Sequence, residues 1–371
     1  MGSIWGRFFR VSSWGESHGA GIGAVIDGMP ANISINTESL QKQLSRRRPG
    51  QSPLTTSRQE EDKLEFLSGL DKQFTTLGSP LAFLVKNHDQ RPEDYQAISD
   101  VFRPSHGDYT YWKKYQRPQL SGGGRASARE TIARVAAGHL AEQFLQHSFP
   151  GLKIIAFVDR VGPLTGSVPD PTSLSRESID AQATRCCHPH EDAGFQDLIL
   201  AAKASGDSLG GTIRCIISGC PAGWGEPVFD KLEGDLAKAM LSIPACRGFE
   251  IGSGFAGTLL RGSEHNDSFV STQSGDIDLA SNRSGGIQAG ISNGATIDFR
   301  LAFKAPATIA KAQDTVNLKG EAVTINPQFG RHDPCVLPRA VPIVEGMAAL
   351  VLADHFLAQR AYGGFLGKSQ S

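Results

Sequence analysis

The chain has 371 residues, 39% of them hydrophobic and 20% charged, with 37 basic against 38 acidic side chains and a formal net charge of −1. That is the make-up of an ordinary globular protein, long enough for two domains or one large core. The balance of charge excludes the chain-wide positive field of a nucleic-acid or membrane-surface binder, so any strong positive potential must be local.

The six cysteines show no CxxC or Cys/His ligand spacing, and Cys186 and Cys187 are adjacent. Free thiols in a reducing compartment are expected, with no metal set. Met1–Val11 carries no signal-like apolar stretch and no run approaches 18 apolar residues. The expectation is therefore a soluble, cytoplasmic protein.

In chain order, the first segment with chemical content is Gly15-Glu-Ser-His-Gly19. Flanking glycines let the backbone approach a ligand or take positive φ. A histidine held there is either a structural turn residue or a proton donor near neutral pH. Ile22–Ile26 reads as a strand. A helix carrying Leu40 and Leu44 follows and stops at Arg46-Arg47-Arg48-Pro49. Basic residues complement the dipole at a helix C-terminus, but three in a row exceed that need. Adjacent helical residues point in different directions, so one is expected in an internal ion pair while one or two bind anions. Leu64–Leu67 and Leu81–Val85 are further strands. Arg103-Pro-Ser-His-Gly-Asp108 then repeats the Ser-His-Gly triplet ahead of Tyr109, Tyr111, Trp112 and Tyr115, aromatics whose spacing suits core packing better than cofactor contact.

Ser121-Gly-Gly-Gly-Arg125-Ala-Ser127-Ala-Arg129-Glu130 is the most specific local signal. Ser127-x-x-Glu130 is a capping box, which predicts a helix from Ser127 through His147 with Ile132, Val135, Ala136, Leu140 and Phe144 along one stripe. Open N–H groups after a glycine run form an anion site, and Arg125 and Arg129 add guanidinium forks. The spacing fits neither a P-loop nor a dinucleotide fingerprint. Lys153–Val158, Thr212–Ile217 and Thr296–Phe303 are predicted strands. Arg331-His332-Asp333-Pro334-Cys335 combines a cation that grips an anion with a carboxylate that serves as a base. Val341–Tyr362 closes the chain as a helix on which Leu350, Val351, Ala353 and Leu357 continue an apolar stripe.

Two stretches resemble each other: Ala24-Val-Ile-Asp-Gly-Met-Pro-Ala31 and Cys215-Ile-Ile-Ser-Gly-Cys-Pro-Ala222. Each is a strand and a Gly-x-Pro-Ala turn followed by a helix, the second carrying Leu232 and Leu236. This reads as an internal duplication, against the alternative of common turn residues recurring by chance. If the copies are related by pseudo-symmetry, the helix ends at Arg46–Pro49 and at Ser242-Ile-Pro-Ala245 face one central site. By residues alone, the chain holds a pocket for a small, multiply anionic ligand with acid–base groups.

The blocks FRVSSWGESHG, RRRPGQS, DVFRPSHGDYTY, GGGRASARETIARVAAG, GEPVFDKL, SGGIQAGISNG and GRHDPCVLPRAVPIVE, in this order from about Gly6 to Arg360, resemble the signatures of the chorismate synthase family. SIPACRGFEIGSGF and GSEHND look more like its plant and fungal branch, though no transit peptide precedes Gly6. The resemblance implies one α+β domain over 1–371, with helices between antiparallel sheets, an internal pseudo-duplication, a disordered tail from about 363 to 371, and assembly as a homotetramer. It implies a lyase using reduced FMN that removes phosphate from 5-enolpyruvylshikimate-3-phosphate in the shikimate pathway of aromatic amino-acid biosynthesis. By the same resemblance His18 protonates the departing phosphate, His106 sits by the flavin, Asp333 assists removal of the C6 proton, and Ser17 and Ser127 support them. Arg47, Arg48, Arg103, Arg129 and Arg331 match positions for the substrate's anions. Arg125, Ala126, Ser127, Pro244, Ala245, Ala289, Lys304, Ala305, Pro306, Ala307, Thr308 and Arg331 match flavin contacts. Pro53 departs from the pattern, standing where bacterial relatives often carry an arginine, with Arg58 as a possible stand-in. Ala126, Pro244 and Ala305-Pro-Ala-Thr308 also differ from common bacterial forms. Two other readings remain: a flavin reductase driven by NADPH, as main or second activity, and a non-catalytic anion-binding protein.

Overall fold

The computed structural model describes residues 2–55, 61–88, 100–117, 121–273, 275–325 and 333–363. The first half runs β1 (Ile4–Trp5), β2 (Arg10–Gly15), β3 (Gly21–Asp27), α1 (Thr37–Arg47), β4 (Leu64–Ser68), β5 (Leu81–Lys86), α2 (Asp108–Tyr115) and α3 (Thr131–Ser148). The second runs β6 (Lys153–Val161), β7 (Leu164–Thr165), α4 (Arg176–Asp180), α5 (Pro189–Ala204), β8 (Gly211–Ser218), α6 (Leu232–Leu241), β9 (Cys246–Ile251) and α7 (Gly262–His265). It continues through β10 (Phe269–Ser271), β11 (Ile277–Leu279), β12 (Ile287–Gln288), β13 (Ile291–Ser292), β14 (Ile297–Phe303), β15 (Gln313–Val316), β16 (Ala322–Ile325) and α8 (Leu337–Gly363).

Every strand read from the sequence is present, because each short apolar run is bounded by turn formers and packs at least part of one face against the core. The strands form two five-stranded sheets of order β1-β2-β3-β5-β4 and β7-β6-β8-β14-β9, all paired antiparallel. Setting aside the edge strands β1 and β7, both halves share one plan. Two paired strands lead into a helix (α1 or α6), then two more strands, and the last of these slots in beside the second. A long helix closes each half. The Gly-x-Pro-Ala turns that betrayed the duplication leave the central strands β3 and β8, and Gly28 and Gly219 take φ of 96° and 73°. A side chain at either would strike the backbone carbonyl of Phe8 or of Gly151, each lying just ahead of the half's first long strand.

α3 packs on β2 and β3, α8 packs on β6 and β8, and the two helices pack on each other, so the layers run sheet, helices, sheet. Leu40 and Leu44 of α1 and Leu232 and Leu236 of α6 are all buried in the shared core. α8 is long and apolar enough to cross a membrane by length and composition, but 94% of its most apolar stretch is buried inside the protein, which makes it the core helix. It starts ahead of the expected Val341 because Pro342 is accommodated: the carbonyl of Pro338, which Pro342 has no N–H to satisfy, accepts instead from the Arg185 guanidinium. Asp354 on α8 gathers the backbone amides of Arg7, Phe8 and Phe9 at 2.9, 2.6 and 2.9 Å, pinning the chain ahead of β2 to the core.

The capping box is only half formed. Ser127 Oγ accepts from Arg129 N at 3.3 Å, but the Glu130 carboxylate turns to Arg134 and to Ser13, 2.9 and 3.1 Å away. A 3-10 turn over Ala128–Glu130 therefore precedes the α-helix, which begins at Thr131. Residues 364–371, most of the expected tail, lie outside the described residues.

α3 and α8 cross where Gly138 meets Gly346; a Cβ on Gly138 would lie 2.3 Å from the Gly346 Cα. Backbone cannot yield as a side-chain tip can, so Gly138→Ala should cost about 3 kcal/mol, the upper end for overpacked cores. Chemical denaturation checks this; an unchanged midpoint would mean the helices separate freely.

Candidate active site

The two helix ends do face one cavity. Its wall includes Arg47, where α1 ends, and Ile243, Pro244 and Ala245, which follow α6, together with Ala128, Asp333 and Arg339. Ala245 takes a left-handed backbone, φ 66°. Arg47 is almost wholly buried; its Nη2 donates to Asp62 Oδ2 at 2.7 Å and its Nη1 to the carbonyl of Ala128 at 3.2 Å. The other oxygen of Asp62 accepts from Arg129 Nη1 at 3.0 Å, and the Asp62 side chain is fully buried. One carboxylate thus holds two guanidiniums from distant parts of the chain. Burial pushes the Asp62 carboxyl up, but Arg47 and Arg129 outweigh it and hold it below the usual carboxylate range. Burial also pulls Arg47 down to about 10, which leaves it charged at neutral pH.

Arg47 Nε and Arg48 Nε are buried with no hydrogen-bond partner, and the Arg48 guanidinium makes no ion pair among the described residues. Buried donors without acceptors are costly, and here they are cationic and clustered, which is the chemistry of an anion site. Arg339 was not singled out from the sequence. It pairs with Asp333 and donates from Nε to the carbonyl of Arg47 at 3.2 Å, joining the C-terminal motif to the end of α1. Asp62 was missed too, and neither residue carries a local sequence signal.

His18 lies beside this shell. Ser17, fully buried, sets Oγ 3.0 Å from His18 Nδ1, and Ser17 N donates to the carbonyl of Gly124 at 3.4 Å. His106 Nδ1 is 2.9 Å from Asp108 Oδ1, and the same carboxylate takes Arg103 Nε and Nη2 at 2.7 Å each. Burial pushes Asp108 up, yet hydrogen bonds from Arg103 and His106 hold it far below the usual range. Arg103 is thereby committed to Asp108, and both its chelating nitrogens point there. Lys304 bridges this loop to the cavity: Nζ donates to the carbonyl of Ser105 at 2.8 Å, and its amide donates to the carbonyl of Ala245 at 3.0 Å. The aromatics of α2 are not core. Tyr109 and Trp112 cluster on Phe102 with Tyr109 half-exposed, because α2 itself buries only Asp108.

The remaining expected contacts divide. Ala305, Pro306, Ala307 and Thr308 continue from Lys304 as a half-buried irregular segment, fastened by Ser208 Oγ to the carbonyl of Pro306 at 2.8 Å. Among the described residues the amides of Ala305, Ala307 and Thr308 have no hydrogen-bond partner. Ser127 and the exposed Ala126 border Ala128 on the cavity wall. Arg125 turns the other way, donating from Nη2 to Ser13 Oγ at 2.8 Å and from Nη1 to the carbonyl of Gly15 at 3.2 Å. Ala289 sits in the β12–β13 turn, whose Gly290 carbonyl accepts from Leu232 N at the start of α6. Ile243, Pro244 and Ala245 of the cavity wall follow the other end of that helix, and Ala289 is not among the residues lining the cavity. Arg331 and Arg58 lie outside the described residues. Beside Pro53, Lys203 Nζ donates to the Pro53 carbonyl at 2.6 Å.

Arg46 is the arginine of the triplet that turns inward. It bonds Asp180 at 2.8 Å, Gln43 at 2.7 Å, and Glu345 on α8. Arg176 extends the network to Glu142 at 2.8 Å, and His139 Nδ1 meets Glu142 at the same distance. Burial pushes Glu142 up, but its bonds to His139 and Arg176 bring it from 4.5 down to about 2. A carboxylate lowered on folding stabilises the protein above its unfolded value and loses that stabilisation as pH falls through the folded value. About 3 kcal/mol should therefore vanish between roughly pH 4.5 and 2. In Glu142→Gln, melting temperature followed against pH should start lower at neutrality and fall less in this window. A variant as acid-sensitive as the parent would remove Glu142 from the account.

The family profile described as "Chorismate synthase" matches residues 9–357. Proteins named chorismate synthase from Synechococcus sp. (strain WH7803) and Opitutus terrae are 54% and 53% identical, over 97% and 98% of this chain and 98% and 99% of theirs. A crystal structure of chorismate synthase superposes with a TM-score of 0.75 at 30% identity, covering 96% of this chain and 93% of the other. With the fold and nearly the whole length in agreement, the chain belongs to the chorismate synthase family, a family of lyases.

Proposed function

We propose that the protein catalyses the FMNH2-dependent anti-1,4-elimination of phosphate from 5-enolpyruvylshikimate-3-phosphate, giving chorismate. The observation that carries this reading is buried Arg47 in the wall of one cavity with the Asp333–Arg339 pair, with Arg129 tied to Arg47 through Asp62. A substrate with two carboxylates and a phosphate needs several fixed cations, and preorganised positive charge at the departing phosphate is usually the largest catalytic contribution.

The residues present fit a flavin phosphate and ring. The partnerless amides of Ala305, Ala307 and Thr308 suit an anion, and Lys304, Pro244 and Ala245 border them. Reduced FMN, when bound, supplies electron density as the phosphate leaves and recovers it, with no net redox change.

The chain's own residues handle the ions and protons. Arg47, Arg48 and Arg129, with Arg331, bind the carboxylates and phosphate. His18, its Nδ1 held by Ser17, gives a proton to the departing phosphate as the C3–O bond breaks. Asp333, paired with Arg339, acts as base in removal of the C6 proton. His106, braced by Asp108, balances negative charge beside the flavin site, and Lys304 fixes the loop that carries it. Arg103 acts through Asp108 and does not reach the substrate directly. Exposed Phe229, Phe255, Leu259 and Ile277 support burial between subunits of a homotetramer. We take residues 1–371 as one functional unit, working in the cytoplasm.

Purified protein with chemically reduced FMN should release phosphate from the substrate under anaerobic conditions; folded protein that releases none would overturn the assignment. His106→Ala and Asp333→Ala should each retain substrate binding in calorimetry while turnover drops about 100-fold or more. Full turnover in either removes that residue's role. NADPH oxidation dependent on FMN, measured without substrate, separates a reductase activity: its presence makes reduction of the flavin an intrinsic property, and its absence requires an external reductant.

A further inference from the structure

We propose that Asn87 is a positioning residue that sets the distance between the anion-binding Arg129 and the loop carrying His18. Asn87 follows β5 and is half-buried. Its Nδ2 donates to two carbonyls, those of Glu16 at 3.0 Å and Gly19 at 2.7 Å, which bracket Ser17 and His18 in sequence. Its Oδ1 accepts from Arg129 Nε. The assignment of oxygen and nitrogen is forced: the reversed amide would set oxygen against two carbonyl oxygens and nitrogen against a guanidinium.

Both ends of this bridge are fixed. Asn87 N donates to the carbonyl of Ala20 at 3.2 Å, and Arg129 is held from its far side by Asp62 at 3.0 Å. The loop runs from Glu16 to Gly19, and Arg125 Nη1 donates to the carbonyl of Gly15 just ahead of it at 3.2 Å. The turn closes with Gly19 N donating to the carbonyl of Glu16 at 3.1 Å, and the backbone bond from Ser17 to Gly124 is long at 3.4 Å. Asn87 holds both shoulders of that turn with one planar group. It lies just past the last pair of the β3–β5 ladder, Gly21 with Lys86.

The inference rests on the reading that Arg129 binds the substrate on which His18 acts. If so, acid and anion grip must stand at a set separation, and a shift of about 1 Å costs on the order of 100-fold in rate. Asn87 touches neither reacting atom and works only through its two neighbours.

The test compares the parent with Asn87→Ala and Asn87→Asp, each alone and combined with His18→Ala, in anaerobic phosphate release with reduced FMN. Asn87→Asp keeps the volume and the acceptor for Arg129 but loses both N–H donors, so it decides the question should Asn87→Ala not fold. Each Asn87 variant should lower kcat by about 100-fold with KM within about threefold, since uniform binding is untouched. Combined with His18→Ala, neither should slow the enzyme further, because the residue has nothing left to position. Three outcomes overturn the proposal: unchanged kcat in folded variants, a raised KM at unchanged kcat, or an effect that adds in full to that of His18→Ala. A parent protein that releases no phosphate defeats the lyase reading itself, a failure the parent control separates from the other three.

Discussion

The approach of Gly138 to Gly346 is the contact on which the rest of the architecture depends. With no side chain on either glycine, α3 and α8 touch backbone to backbone, and each presses its outer face onto its own sheet. That crossing sets the thickness of the helix layer and therefore how the two halves face each other. The duplicated plan then has a chemical consequence. The C-terminal ends of α1 and α6, equivalent in the two halves, arrive at one cavity carrying unlike sequences: an arginine cluster from the first, a Pro-Ala turn in a left-handed conformation from the second. Duplication supplied the frame, and divergence of the two helix ends put a buried guanidinium at one end and a wall-forming turn at the other.

Gathering cations in a buried place is costly, and the structure limits that cost by sharing. Asp62 serves both Arg47 and Arg129, so two guanidiniums are oriented with one compensating charge and a positive surplus remains. Arg46 is withdrawn into the network of Glu345, Asp180 and Gln43, where it ties α1 to α8. Breaking such a pair leaves an uncompensated buried charge. The same economy recurs at Asp108, which braces His106 and Arg103 together. Asp62 and Asp108 thus each hold two side chains in place.

Much of the fold was legible because periodicity and turn chemistry are local. The strands at β3, β5, β8 and β14 alternate or run apolar between turn residues, and α3 carries the expected apolar positions, although it is buried on nearly all sides and not along one stripe. The duplication was legible through two short turns. Where local rules failed, a tertiary partner had displaced the local one. Glu130 left the capping box for Ser13 on β2, with Arg134 one turn on as its other partner, and Arg185 satisfied the carbonyl that Pro342 orphans within α8. The aromatics of α2 pack on Phe102 at the surface because helical spacing says which residues share a face and not whether that face is covered.

By itself the sequence determined the class of chemistry: arginines in runs, two Ser-His-Gly loops and an Asp beside an Arg, in an order that places the chain within its family. Those are statements about residue types, which the chain carries whatever its shape. Only the tertiary structure decided which arginine of the triplet turns inward, that Arg103 answers to Asp108, that Arg339 belongs to the site, and that Asp62 and Asn87 bind it together. Asp62 and Arg129 stand 67 positions apart, and Arg47 and Arg339 stand 292 apart. Hydrogen bonds and charges act over a few ångströms in space, and separation along the chain says nothing of that distance until the two sheets have closed on their helices.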